Sequence, residues 1–178
     1  MVTYVALLRG INVGGSNLVP MKALKAVVAG LGHDDVATYI ASGNVVFTCA
    51  RADEARVAAN LEAAIQKAFG LRIAVVLRTH AELAAVAGSN PFRGREARVY
   101  VTFLAGTPSA DALARLDPAR SAPDEYVVRG RDIYLHLPSG AGQTTLSVDY
   151  FQKQLGTSAT TRNWNTVNRL VDLSRRSC

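Results

Sequence analysis

The chain alternates short apolar runs with segments of helical period. That alternation breaks at Gly88-Ser89-Asn90-Pro91, and then resumes in an order that partly repeats the first, without a residue-level repeat. Glycine and proline in such a cluster continue neither a helix nor a central strand. The 178 residues therefore divide there into two small halves. Before the break, Val2 to Leu8 is strand-like, and Tyr4 to Leu8 within it is continuously apolar, as an inner strand requires. Pro20 suits the first turn of a helix, where its missing N–H costs nothing. Met21, Leu24, Val27, Val28 and Leu31 then recur at helical spacing. Val36 to Ile40 and Val45 to Cys49 read as strands around the turn signal Ala41-Ser42-Gly43-Asn44. Ala52 to Phe69 is the strongest helix: Val57, Leu61, Ile65 and Phe69 recur at every fourth residue, and Gly70 stops it. Ile73 to Leu77 reads as a strand, and Thr79 with Glu82 forms a capping-box pattern ahead of Leu83 and Val86.

The first half is thus β-α-β-β-α-β-α over residues 1–88, which fits a split βαββαβ unit of the ferredoxin-like kind. Residues 89–96 are expected to form a linker. The second half, residues 97–178, reads as a strand from Arg98 to Leu104 and a short helix from Ser109 to Leu116. Two strands, Glu125 to Val128 and Ile133 to Leu137, and a helix from Leu146 to Leu155 follow. That order is β-α-β-β-α. A last helix, Arg162 to Leu173, offers Trp164, Val167, Leu170 and Val171 for packing back on the halves. The fold class expected is α+β.

No apolar run approaches the length of a membrane span, and Met1 opens directly into a strand, so a cytoplasmic protein without a membrane partner is expected. Cys49 and Cys178 are the only cysteines, and His33, His80 and His136 share no motif. Neither a structural disulfide, a metal nor a cofactor is expected. The net charge is +6, and all but Lys22, Lys25, Lys67 and Lys153 of the 20 basic residues are arginines. Arginine grips phosphate with two parallel bonds, which lysine does not. The basic residues are spread out, however, and an Arg-rich genome would give the same composition.

Two polar segments carry the chemistry. Arg9-Gly10-Ile11-Asn12-Val13-Gly14-Gly15-Ser16-Asn17 follows the first strand. Gly14 and Gly15 permit positive φ and close backbone approach, so freed N–H groups there can meet a phosphate or carboxylate. The spacing is neither a Walker A loop nor G-x-G-x-x-G. The plain alternative is a turn in which Asn12 and Asn17 bond the backbone. The second segment is Thr160-Thr161-Arg162-Asn163-Trp164-Asn165-Thr166, read as a loop entering the last helix. Thr160 or Thr161 would cap that helix and Trp164 would anchor packing. That leaves Arg162, Asn163 and Asn165 unexplained. A cation at a helix start opposes the dipole by roughly 0.3–1 kcal/mol. Arg162 therefore calls for an anion, or for a carboxylate such as Asp149 or Asp132. Ser42-Gly43-Asn44 and Gly140-Ala141-Gly142-Gln143-Thr144-Thr145 read as further turns.

Leu7-Leu8-Arg9-Gly10-Ile11-Asn12-Val13-Gly14-Gly15, Val19-Pro20-Met21, Thr38-Tyr39-Ile40 with Ser42-Gly43-Asn44-Val45, and Thr160 to Val167 together resemble the bacterial family known as domain of unknown function 1697. The resemblance implies a small cytosolic α+β protein of two plait-like halves, and no established reaction, substrate or catalytic residue. Lysines common in the family are replaced by Ser16 and Leu18 here, and another is absent near Gln143 to Leu146. Fewer cations disfavour a highly charged ligand such as duplex nucleic acid.

The leading expectation is a binding protein for a small anionic or phosphate-bearing ligand. The residues named for it are Arg9, Asn12, Gly14, Gly15, Asn17, Thr161, Arg162, Asn163 and Asn165. In this reading the hairpin tip Ser42-Gly43-Asn44 lies at the opposite end of the sheet from the first loop. One alternative is single-stranded nucleic acid stacked on strand aromatics Tyr4, Phe47, Tyr100 and Tyr134. Another is an enzyme using some of Ser42, Cys49, His136 and Asp149.

Overall fold

The computed structural model describes residues 1–50 and 53–175. Ala52, where the expected second helix begins, and Cys178 lie outside the described residues. The chain forms two units. One comprises residues 1–85 and those from Arg169 onward, the other Val86–Asn168.

The first unit runs β1 (Val2–Leu8), α1 (Met21–Ala29), β2 (Asp34–Tyr39), β3 (Asn44–Cys49), α2 (Glu54–Phe69) and β4 (Val75–Thr79), and α3 (His80–Gly88) leads out of it. Its four strands make one antiparallel sheet in the order β2-β3-β1-β4. Alternate residues of a strand face opposite sides of the sheet. Tyr4, Ala6 and Leu8, with Val45 and Phe47 and with Val75 and Leu77, share a core with Leu24 and Val28 of α1 and Leu61 and Ile65 of α2. The i, i+4 spacing of Val57, Leu61 and Ile65 gives α2 this apolar stripe. Asp53 accepts a bond from the Arg56 N–H to start α2, and Gly70, at φ 69°, ends it. The capping box at α3 forms in both directions: Thr79 N–H donates to Glu82 Oε2 at 2.8 Å, and Glu82 N–H donates to Thr79 Oγ1 at 3.3 Å.

The second unit runs β5 (Val99–Leu104), α4 (Ala110–Leu113), β6 (Glu125–Arg129), β7 (Asp132–His136), α5 (Val148–Leu155) and β8 (Ala159–Asn163). It leads into α6 (Trp164–Arg175), whose residues from Arg169 group with the first unit. Its sheet is again antiparallel, in the order β6-β7-β5-β8. Leu104, Ile133, Leu135, Phe151 and Leu155 form its core.

The structure corrects the sequence reading at β8. Thr160-Thr161-Arg162 is a strand paired with β5, not a loop, and α6 starts at Trp164 rather than Arg162. The segment is too polar to be legible as a strand, yet Thr160 and Arg162 are buried. Those two bond one another, Arg162 Nη1 donating to Thr160 Oγ1 at 2.8 Å, and Thr161 between them reaches the neighbouring strand, its hydroxyl 2.7 Å from that of Thr102. With β8 in place the second unit repeats the full β-α-β-β-α-β-α order of the first. The cap of α6 is Asn163, whose Oδ1 accepts from Thr166 N–H at 2.8 Å, rather than Thr160 or Thr161. Trp164 is only half-buried, whereas Val167, Leu170 and Val171 are buried.

Candidate functional site

Antiparallel pairing decides what stands at each end of the first sheet. Leu7 pairs with Asn44, and Leu8 pairs with Val75. The end of β1 therefore lies beside the starts of both β3 and β4. The hairpin tip at 40–43 and the first loop consequently share one end of the sheet, contrary to the opposite ends expected above. Leu8 N–H donates to Gly43 O at 2.9 Å, and Arg9 N–H donates to Ala74 O at 3.0 Å.

Asn12 ties these segments together. Its Nδ2 donates to Val19 O at 2.9 Å and to Ala41 O at 2.8 Å, and its Oδ1 accepts from Val19 N–H at 2.8 Å. Asn12 thus spends its side chain on holding the loop to the hairpin. Asn17 Nδ2 donates to Gly10 O at 2.9 Å, and Asn12 N–H donates to Asn17 O at 3.1 Å, which closes the loop at its base. Both asparagines have positive φ, 54° and 49°. Asparagine tolerates that region through local hydrogen bonds. Gly14 and Gly15, at φ 56° and 78°, form the exposed tip. Buried Ile11 lies against Gly43, where a built Cβ would come within 2.7 Å of Ile11 Cδ1.

At the base of this loop lies a cleft of about 320 Å³, lined by Arg9, Gly10, Asn17, Arg72, Ile73 and Ala74. Arg72 is exposed and Arg9 is half-buried. Sequence reading missed Arg72. Its signal was its place two residues after the helix stop Gly70 and just ahead of a strand. That stretch becomes a neighbour of the first loop only through the β1–β4 pairing. The segments gathered here, 9–25, 40–44 and 70–74, hold Arg9, Lys22, Lys25 and Arg72 and no aspartate or glutamate. Of these cations Arg9 and Arg72 line the cleft, and Glu62 of α2 reaches the same end of the sheet, where its Oε1 accepts from Val75 N–H at 2.9 Å. Pro20 precedes α1 and supplies no side-chain cap.

The other expected residues sit in the second unit. Arg162 is 6% exposed, and its Nη1 also donates to Thr161 O at 2.9 Å. Burial pulls its pKa down to about 10, so it remains cationic at neutral pH. Thr161 is half-buried, and Asn163 and Asn165 are exposed. Of the stacking aromatics, Tyr4, Phe47 and Tyr134 are buried and present no face to a base, which leaves Tyr100. Tyr134 donates its hydroxyl to Val86 O at 2.8 Å, and burial raises its pKa to about 12. The residues considered for an enzyme divide between the units, Ser42 and Cys49 in the first and His136 and Asp149 in the second. Asn44 Nδ2 donates to Ser42 Oγ at 3.2 Å. His136 Nδ1 lies 3.3 Å from Glu125 Oε2, which also accepts from Arg95 Nη1 at 2.7 Å.

A second cavity of the first unit, about 200 Å³, is lined by His33, Cys49, Val57 and Asn60 among others. The His33 ring stacks on Phe47 with centroids 4.7 Å apart, and its buried Nε2 has no hydrogen-bond partner.

These features define an α+β protein of two four-stranded antiparallel units, the first of which carries a cationic loop cleft. The chain belongs to the family described as protein of unknown function (DUF1697), whose model matches residues 1–134. Its fold is similar to that of the conserved bacterial protein SP0830 from Streptococcus pneumoniae. The TM-score is 0.69 at 22% identity, over 97% of this chain and 98% of that one. No curated protein matches the chain. Among the described residues no helix is long and apolar enough to cross a membrane.

Proposed function

We propose that the protein binds a small phosphate-bearing or otherwise anionic ligand in the cleft at the loop end of its first unit. The observation that carries this reading is that Arg9 and Arg72, from segments far apart in the chain, line one cleft together with Gly10, Asn17, Ile73 and Ala74. Two guanidinium groups suit a tetrahedral oxyanion because each presents a planar fork of donors. Gly10 lets the ligand approach the backbone, Asn17 shapes one wall, and Asn12, Gly14 and Gly15 hold the loop in its bent form. Thr161, Arg162, Asn163 and Asn165 are left out of this grip. Arg162 donates into its own strand, and Asn163 caps α6.

The second unit supplies a natural comparison. There Leu104 N–H donates to Arg131 O and Ala105 N–H to Ser158 O, the same two edge bonds that Leu8 and Arg9 make in the first. The counterpart of Arg9 is thus Ala105, which favours the first unit as the anion site. The shared element and strand orders support reading each unit as a ferredoxin-like plait. Nucleic-acid stacking is disfavoured by the burial of three of its four aromatics. A cytoplasmic setting suits the buried Cys49, which is not in a disulfide.

Calorimetric titration and thermal shift with inorganic phosphate and pyrophosphate test the proposal. A ligand at a hundredfold excess over its Kd raises stability by about 2.7 kcal/mol. Arg72→Ala, at an exposed position, should weaken binding at least tenfold, equivalent to about 1.4 kcal/mol, while the ligand-free melting temperature stays unchanged. No stabilisation by either anion at millimolar concentration would refute the proposal.

A further inference from the structure

Well-exposed large apolar side chains are few among the described residues: Met1, Val13, Leu18, Leu31 and Ile40. Three of the five, Val13, Leu18 and Ile40, stand at the loop end of the first unit. Each is next in the chain to a member of one hydrogen-bonded knot. Val13 follows Asn12, Leu18 precedes Val19, and Ile40 precedes Ala41, and Asn12 bonds both Val19 and Ala41. Leu18 also follows Asn17, which lines the cationic cleft. Leu18 therefore stands beside the cleft that Arg9 and Arg72 line, and Val13 and Ile40 stand beside residues of the knot that holds the same loop.

Ile40 adds a second, independent observation. It is 46% exposed and has φ 48°. A β-branched residue in the left-handed region is a true outlier, since its side chain crowds the backbone. Such strain persists where the surrounding structure enforces it, and it clusters at binding sites. Asparagine or glycine would fit this turn better and would remove apolar surface. The chain instead keeps a strained isoleucine presented to solvent.

Resting on the anion reading above, we propose that the ligand is a soluble phosphate monoester whose ester group is apolar. Its phosphate sits between Arg9 and Arg72, and its alkyl or aromatic group lies along Leu18, Val13 and Ile40. Apolar contact there adds affinity that inorganic phosphate lacks. A tenfold gain needs only about two methylene groups taken out of water.

The test compares inorganic phosphate, hexyl phosphate and phenyl phosphate by calorimetry on the full chain. Hexyl or phenyl phosphate should bind at least tenfold more tightly than inorganic phosphate. Leu18→Ser should remove most of that gain and leave inorganic phosphate binding unchanged. Ile40→Asn should raise the melting temperature by relieving strain and lower affinity for hexyl phosphate. Equal binding of all three probes would overturn the inference and leave the anion site standing, whereas no binding of any would overturn both. Sedimentation with phosphatidylcholine vesicles containing phosphatidic acid, without a gain for soluble hexyl phosphate, would assign the surface to a membrane and overturn the inference.

Discussion

Arg78 and Arg162 hold the same place in the two sheets. Each is the fourth residue of the last, five-residue strand of its unit, Arg78 opposite Val5 and Arg162 opposite Val101 on the first strand. Both are buried, at 0% and 6% exposure. Each donates Nη1 to the carbonyl of the residue before it, Leu77 O at 2.7 Å and Thr161 O at 2.9 Å. A buried cation persists only when it is well bonded. The repetition of that bonding marks it as part of how each unit is built.

Arg162→Ala should therefore destabilise the ligand-free protein by about 3 kcal/mol, from at least two charged hydrogen bonds worth roughly 1.5–3 kcal/mol each, less relaxation. Arg162→Lys should recover little, because an ammonium lacks the planar fork. Urea unfolding of the purified variants measures both. An unchanged midpoint for Arg162→Ala would make the residue dispensable to the fold and return it to consideration as a ligand contact.

Gly43 should be the least replaceable glycine of the loop end. Its φ is 86°, and an added Cβ would stand 2.7 Å from Ile11 Cδ1 and 2.9 Å from Leu8 Cβ. Gly14 shares positive φ, at 56°, but has open space around it. Gly43→Ala combines backbone strain with overpacking and should cost about 2–4 kcal/mol, and Gly14→Ala about 1 kcal/mol. Equal melting temperatures for the two variants would contradict this.

His33 should give the protein a mildly acid-sensitive stability. Burial lowers its pKa below the ordinary histidine value, with Asp34 acting in the opposite direction. The unfolded chain then takes up the proton first as pH falls. The contribution of neutral His33 is complete above the unfolded value, about 6.5, and is lost as pH drops below it. His33→Phe keeps a ring against Phe47 and removes the unpartnered Nε2, so it should flatten the stability profile between pH 7 and pH 5, a range set by that unfolded value. The measurement is the urea midpoint across that interval. A variant with the same slope as the parent would exclude His33 as the source.

The sequence by itself determined the elements whose signals are local. The stripe of Val57, Leu61 and Ile65 with its Gly70 stop, the Thr79–Glu82 capping box, and the turns that divide β2 from β3 and β6 from β7 follow from side-chain spacing and backbone preference within a few residues. The same locality made Asn12, Gly14, Gly15 and Asn17 recognisable as a bent polar loop. Only the tertiary structure decided the rest. β8 is polar, and it becomes a strand because the free edge of β5 satisfies its backbone and because its buried polar groups bond one another. Pairing of β1 with both β3 and β4 brings residues 40–43 and 70–74 to the first loop, and so adds Arg72 to Arg9. Arg162, alike in sequence a polar loop residue, is carried inside its own sheet. Strand pairing joins residues far apart in the chain, and no local propensity encodes which edges meet.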